Sequence, residues 1–225
     1  VNCINSSHPS IYKALNWTVG ELQCFFLVNA HVKNALIKYP ETYSLPYPKT
    51  GSSAFYEMKE KDLKDLEMSS ICTADIANSK TPTYFCNRFL KHPFYNYRVF
   101  RIEGPTHNPA LISVRVAKQN NSSALKIVDF IGDPRAISSS GSALQDLLTS
   151  ESAEYLDFWQ SGIPENFLNT AGFACLDPEG PVVVPNYFEP YEQKNVRILT
   201  AYKSKKDLPA IICRADGDQD RPSII

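Results

Sequence analysis

Two aspartates stand in the same local context. Val128-Asp129-Phe130 and Leu156-Asp157-Phe158 each set a carboxylate between apolar neighbours, within runs that predict buried strands over 125–132 and 154–159. A carboxylate inside such a strand is costly unless it is paired or at work. Two of them in one poorly solvated cleft hold at least one proton more tightly than usual, which suits a general base. The plainer reading gives each an ion pair with Arg115 or Arg98. Between the two strands lies a Ser/Gly turn, Ser138, Ser139, Ser140, Gly141 and Ser142, ahead of a helix predicted from Ala143. Free N–H groups at a helix N-terminus, joined by hydroxyl donors, favour a phosphate. The same serines also make an ordinary helix cap.

Further along, Tyr187 is a candidate general acid and Glu189 a candidate acceptor-binding group on a strand predicted over 182–189. Packing is the plainer role for the tyrosine. His92, beside Pro93, reads as a turn or capping residue. The tail Asp216-x-Asp218-x-Asp220 has the spacing of the first ligands of a calcium loop but lacks the later glutamate, so an EF-hand is excluded. Asp218, Asp220 and Arg221 are candidates for holding sugar hydroxyls or capping a cleft, against a disordered acidic tail.

A strand–helix–strand unit over 125–159 requires two parallel neighbours and a right-handed crossover. Before it, 95–103 and 111–118 predict an antiparallel hairpin across a Gly/Pro/Asn-rich turn. Strands are expected over 21–29 and 54–58, and helices over 60–68, from Pro82 and over 164–171, the last stopping at Gly172. Strands over 182–189 and 196–201 close the series. The expected architecture is α/β (α+β), a mixed and mostly antiparallel sheet with one parallel pair and helices on both faces. The run 39–53, with Pro40, Pro46, Pro48 and Gly51, reads as a linker. A helix that ends in a small or polar residue, then an aromatic, then a strand occurs twice, at 11–17 and at 167–173. Either apolar helices stop this way by chance, or residues 1–50 are the end of a preceding half plus a linker, with the main domain over 51–225.

Composition narrows the partners. The chain has 225 residues, 43% hydrophobic, enough for one large domain or two small ones. Its 23 basic and 24 acidic residues leave no strong field for nucleic acid or an anionic membrane. No run approaches the roughly 18 apolar residues of a membrane span. Val1 is followed by no charged-then-apolar leader, so no secretory signal is expected in the sequence given. Six cysteines without C-x-x-C spacing, several in apolar runs, suggest reduced, buried thiols and a cytoplasmic protein. The four histidines show no ligand spacing with them, so no metal is expected.

The element order over 53–203 resembles the GNAT superfamily of acyl-CoA-dependent N-acyltransferases, most closely at Ala171-Gly172-Phe173 and at the 138–144 turn, where that family holds its pyrophosphate loop. More narrowly, Asn186-Tyr187-Phe188-Glu189-Pro190 and the 216–222 tail resemble GNAT-like proteins encoded with bacterial surface-polysaccharide genes, often built of two halves. The resemblance implies acetyl-CoA or a related acyl-CoA as co-substrate. It implies an amine or amino-sugar acceptor, and either a homodimer or a missing N-terminal half. Pantetheine would add itself like a strand where the parallel strands part, facing the backbone of Phe130, Ile131 and Gly132. Arg135 and residues 138–142 would cradle the phosphates, and Asp129 or Asp157 would act as the base. The chain departs from the family's Gln/Arg-x-x-Gly-x-Gly/Ala loop, with Ala136 and Ser139 at the first two marked positions, and has Leu168 where the family often has an acidic tyrosine. The leading expectation is an N-acetyltransferase acting on an amine, favoured by the paired strand aspartates and Gly141. The altered loop and Leu168 favour a rival, a GNAT-like module that has lost catalysis and binds a sugar nucleotide or a partner protein.

Overall fold

The computed structural model describes residues 4, 8–45, 51, 53–67, 70–71, 80–204 and 208–217. Its strands are β1 (Thr18–Val28), β2 (Ala54–Met58), β3 (Tyr97–Glu103), β4 (Ala110–Gln119), β5 (Ser122–Gly132), β6 (Tyr155–Ser161), β7 (Ala174–Cys175), β8 (Ile198–Tyr202) and β9 (Ile212–Cys213). They form one sheet in the order β2-β3-β4-β5-β6-β1-β7, with β8 also on β1 and β9 also on β6. β5 and β6 are parallel, and the other pairings among the described strands are antiparallel. The mixed sheet expected from the sequence is what forms.

Helices cover both faces. On one face α4 (Arg135–Ser138), α5 (Gly141–Ser150) and α6 (Glu165–Thr170) pack Ile137, Leu144, Leu148 and Leu168 onto Phe25, Ile112, Ile127, Phe130 and Phe158. On the other, α3 (Pro82–Phe85) continues into a π-helical turn (Cys86–Leu90) whose Phe85 and Phe89 meet Val99, Leu111, Val128 and Ile131. α3 starts as its sequence predicts, with Thr81 Oγ1 accepting from the Tyr84 N–H at 3.0 Å. Of the helix predicted over 60–68, α2 (Glu60–Lys64) forms, residues 65–67 are not helical, and Met68 lies outside the described residues.

Two further expectations change. The strand predicted over 182–189 is absent; the stretch makes isolated bridges, Lys38↔Val183 and Phe188↔Tyr191. Pro181, Pro185 and Pro190 remove the N–H groups that a ladder needs. The 138–142 turn is mostly helical, because α4 runs to Ser138 and α5 begins at Gly141.

Residues 18–28, part of the stretch read as a preceding half, form an inner strand of this same sheet, between β6 and β7, with β8 paired along its first half. The sequence echo is also an echo of geometry. After α1 (Pro9–Ala14), Asn16 takes φ 59° and Trp17 N–H donates to Tyr12 O at 3.0 Å; after α6, Gly172 takes φ 91° and Phe173 N–H donates to Leu168 O at 3.0 Å. Both are left-handed helix stops of the same hydrogen-bonding type, and each launches a strand, β1 and β7, that pairs with the other.

Candidate functional site

The parallel ladder is short. It pairs Ala124 with Tyr155 through Ile127 with Phe158, and then the strands part. A β-bulge marks the place on β5: Ser113 pairs with Asp129 while Val114 pairs with Ile127, leaving Val128 as the extra residue. Into the opening comes the chain's own segment 212–216. β9 continues β6 by pairing Cys213 with Gln160 and Ile212 with Ser161, and the 3₁₀ turn Arg214–Asp216 packs against β5.

That segment carries one charge to each aspartate. Arg214 Nη2 donates to Asp157 Oδ1 at 2.9 Å, and Lys126 Nζ reaches Asp157 Oδ2 at 2.5 Å. Arg214 Nη1 also holds Asn186 Oδ1 at 2.5 Å, while Lys126 Nζ lies 4.9 Å from the centre of the Phe188 ring. Asp157, Lys126 and Arg214 are at most 1% exposed. Asp216 Oδ2 instead accepts from Lys80 Nζ at 2.8 Å, and Lys80 forms its other ion pair with Asp129. Asp129 Oδ1 further accepts the Phe130 N–H at 2.9 Å, whereas buried Asp129 Oδ2 has no hydrogen-bond partner among the described residues.

The titration behaviour follows from the charge count. Burial pushes the Asp129 carboxyl up to about 6; Lys80 pulls it back, and the neighbouring Asp216 adds to the rise. Burial lowers the Lys126 ammonium to about 8, against the pull of Asp157 and with help from Arg214. Burial also works against charge on Lys80, but Asp129, Cys213 and Asp216 together outweigh it and keep Lys80 protonated. Asp129, Cys213 and Asp216 bring ligand-type atoms within 4.8 Å of one another. The Lys80 ammonium already bonds both of those carboxylates.

The two aspartates were expected on one side of a shared cleft, or paired with Arg115 or Arg98. That arginine pairing does not occur, but both aspartates lie on the face of the sheet opposite α4–α6, against segment 212–216. Asp157 stands opposite Lys126 in the register, and the bulge sets Asp129 toward Lys80. Arg98 binds Glu57 and Glu151, and Arg115 stacks over Tyr95 at 4.3 Å. Phe130 and Ile131 are core residues on opposite faces of β5. Gly132, at φ 119°, is needed for packing: a Cβ there would lie 2.6 Å from Pro109 O and 2.7 Å from Ala110 Cα.

The expected phosphate cradle is knitted to its own scaffold. Ser138 Oγ donates to Arg135 O at 2.7 Å, Ser140 Oγ to Ile137 O at 2.7 Å, and Ser142 Oγ to Gly51 O at 3.1 Å. Ser139 contacts Ser53 and His107, and Gly141 is buried at the start of α5. Arg135 forks onto Asp133, at 2.5 Å for the closest pair. Tyr187 follows Asn186, the Arg214 acceptor, and Glu189 accepts the Tyr95 hydroxyl at 2.6 Å. His92 is the turn residue it was read to be, its Nδ1 accepting the Phe94 and Tyr95 N–H groups at 3.2 and 3.0 Å. Asp218, Asp220 and Arg221 lie outside the described residues.

Sequence reasoning missed Lys80, Lys126 and Arg214. A signal existed for Lys126, a lone cation in the run Leu125-Lys126-Ile127-Val128-Asp129, spaced three from one aspartate. None existed for Lys80 or Arg214, which are 49 and 57 residues from their partners. A separate open cavity of about 630 Å³ lies beside β1 and β7, lined in part by Glu21, Gln23, Asp177, Glu179 and Arg197. Arg197 is tied to Glu21 at 2.9 Å, so carboxylates dominate the charge of this wall.

No protein-family model matches the chain, and no curated protein matches it. Among solved structures it is similar to a functionally unknown conserved protein from Staphylococcus epidermidis ATCC 12228, at 8% identity over 88% of this chain and 67% of that one, TM-score 0.44. It is also similar to Saccharomyces cerevisiae N-myristoyltransferase, solved with bound myristoyl-CoA and inhibitors, at 12% identity over 83% of this chain, TM-score 0.43. The chain spans about half the length of that enzyme, 51%. The fold class rests on the strand order itself: an antiparallel run β2 to β5, a helical crossover and a parallel β5/β6 pair.

Proposed function

We propose that the chain is a GNAT-like binding module that takes an amine-bearing sugar or similar cationic ligand and does not hold acyl-CoA in the opening of its own sheet. The observation that carries this reading is the occupation of that opening by residues 212–216, fixed through Arg214 and Asp216 to both buried aspartates. The internally bonded serines of 138–142 and Leu168 in place of an acidic tyrosine support it. The carboxylate-rich cavity beside β1 suits an ammonium or sugar hydroxyls better than a nucleotide phosphate. In this reading any acyl donor comes from a second half or a second copy, and the free thiols suit a cytoplasmic setting.

A second reading, an acetyl-CoA-dependent N-acetyltransferase acting on an amino sugar for a surface polysaccharide, is favoured by Asp129. Its carboxyl is raised to about 6 and has one oxygen without a hydrogen-bond partner among the described residues, the properties of a general base. Calorimetric titration of the full chain with acetyl-CoA, with free coenzyme A and with glucosamine separates the two. Heat with glucosamine and none with either coenzyme at millimolar concentration is the expected result. Micromolar binding of acetyl-CoA would transfer the conclusion to the enzyme.

A further inference from the structure

Beyond the β5/β6 opening, one other cluster joins a nucleophile to a base. His107 Nδ1 lies 2.9 Å from the carbonyl oxygen of Asn108. A carbonyl can only accept, so Nδ1 carries the ring hydrogen and Nε2 is left with its lone pair. Nε2 is 2.9 Å from Ser139 Oγ and accepts from it, the nearer of two acceptors for the serine hydrogen, the other being the Ala136 carbonyl oxygen at 3.3 Å. With that hydrogen committed, the Ser53 hydroxyl that touches Ser139 Oγ must donate to it. Ser139 and His107 are half-buried, within reach of solvent.

The surroundings are shaped to this contact. A Cβ on Gly104 would overlap His107 Nε2, lying 2.7 Å from Cε1 and 3.1 Å from Ser53 Oγ, so only glycine lets the imidazole sit there. A Cβ on Gly51 would lie 2.6 Å from the Ser139 carbonyl carbon. Ser139 also stands two residues before Gly141, where the ten-residue α5 begins. The first N–H groups of a helix have no partner within it and favour negative charge.

We propose that Ser139 and His107 form a nucleophile–base pair that cleaves small carboxylic esters or thioesters. Ser139 Oγ bonds to the carbonyl carbon as its proton passes to His107 Nε2. The carbon–oxygen or carbon–sulfur bond to the leaving group breaks, and the alcohol or thiol departs with that proton. Water then adds to the acyl-serine, giving its proton to Nε2; the carboxylic acid leaves and Ser139 recovers its hydrogen. The group that orients His107 is a neutral carbonyl rather than a carboxylate, so the imidazolium gains little support. That limits the pair to good leaving groups, which is why esters and thioesters rather than amides are the substrate class.

The test uses a fluorophosphonate probe and p-nitrophenyl acetate on the full chain. A single phosphonyl adduct mapped to Ser139 is expected, with p-nitrophenol release that Ser139→Ala abolishes. His107→Gln should slow labelling by on the order of 10²–10⁴-fold, and Gly104→Val should do likewise by displacing the ring. Ser138→Ala, whose hydroxyl bonds only its own helix turn, should label at the wild-type rate. Absence of an adduct on Ser139, or an unchanged rate in His107→Gln, would overturn the proposal. Peptide mapping of the wild-type adduct and the His107→Gln rate decide the matter even if Ser139→Ala does not fold.

Discussion

Around Asp157 two cations, Lys126 and Arg214, face one carboxylate; around Asp129 two carboxylates, its own and that of Asp216, face one cation, Lys80. The two aspartates have matching neighbours in sequence and opposite charge balance in space. One cluster carries an excess positive charge and the other an excess negative charge, and both are joined through the 3₁₀ turn Arg214–Asp216. The burial cost of each excess is thereby partly offset by its neighbour. The difference also sorts the pKa directions: the surplus cation of the first cluster, Lys126, falls to about 8, and the surplus carboxylate of the second, Asp129, rises to about 6. A strand aspartate thus reads as a clamp or as a base according to what the far end of the chain places beside it.

The strongest way to break the comparison is to remove the carboxylate that holds two cations. Asp157→Ala leaves Lys126 and Arg214 buried without a counter-charge, and truncating one partner of a buried ionic group typically costs about 3–5 kcal/mol. Urea unfolding should show that loss, with segment 212–216 gaining amide exchange because Arg214 is no longer anchored. A change below about 1 kcal/mol would mean the charges are solvated in solution and the cluster is not closed.

Lys80→Met attacks the other cluster by the same logic. Asp129 and Asp216 are then left facing each other with no cation, and at least one must take up a proton at neutral pH. A loss of about 2–4 kcal/mol at pH 7 is expected, shrinking as the pH is lowered toward 4. A loss that does not change with pH would show that the two carboxylates do not share a site.

How much of this was legible is instructive. The hairpin, the parallel pair and the left-handed stop at Gly172 follow from local rules: alternation, turn residues and helix-ending geometry. The aspartates stood out because a charge in an apolar strand contradicts its surroundings. Their partners did not, since Lys80 and Arg214 are set beside them by tertiary folding that no spacing rule encodes. β7 and β9, two residues each, are too short to leave a period. The 182–189 run is apolar enough to predict a strand, but its flanking and internal prolines cancel the ladder. Nor does an alternation pattern announce the bulge at Val128, which turns Asp129 onto the face that Asp157 takes.

A third, smaller effect concerns pH. The folded carboxyl of Asp129 titrates near 6 against an ordinary 3.8, so between those values the folded chain binds more protons than the unfolded one. Its contribution to stability is therefore fully present below about pH 4 and is lost as the pH rises through 6. Two units correspond to on the order of 2–3 kcal/mol. Asp129→Asn should remove this slope, so the stability difference between variant and wild type should move in the variant's favour from pH 4 to pH 7. A constant difference across that range would show that Asp129 keeps an ordinary carboxyl.

The smallest change is expected at Lys126, although it is as buried as Asp157. Lys126→Met removes the surplus cation and leaves Asp157 and Arg214 as a one-to-one pair. The Pro185 carbonyl that Lys126 touches at 3.3 Å keeps its hydrogen bond from the Tyr155 hydroxyl at 2.9 Å. An unbranched thioether fills the same channel against the Phe188 ring. Stability at pH 7 should change by no more than about 1 kcal/mol. Lys126 titrates near 8 in the fold against an ordinary 10.5, so in the wild type the unfolded chain binds more protons between those values and stability rises with pH there. The variant should lack that rise. If Lys126→Met costs as much as Asp157→Ala, the lysine is no surplus charge, and the opposite balance of the two clusters is not what sets their behaviour.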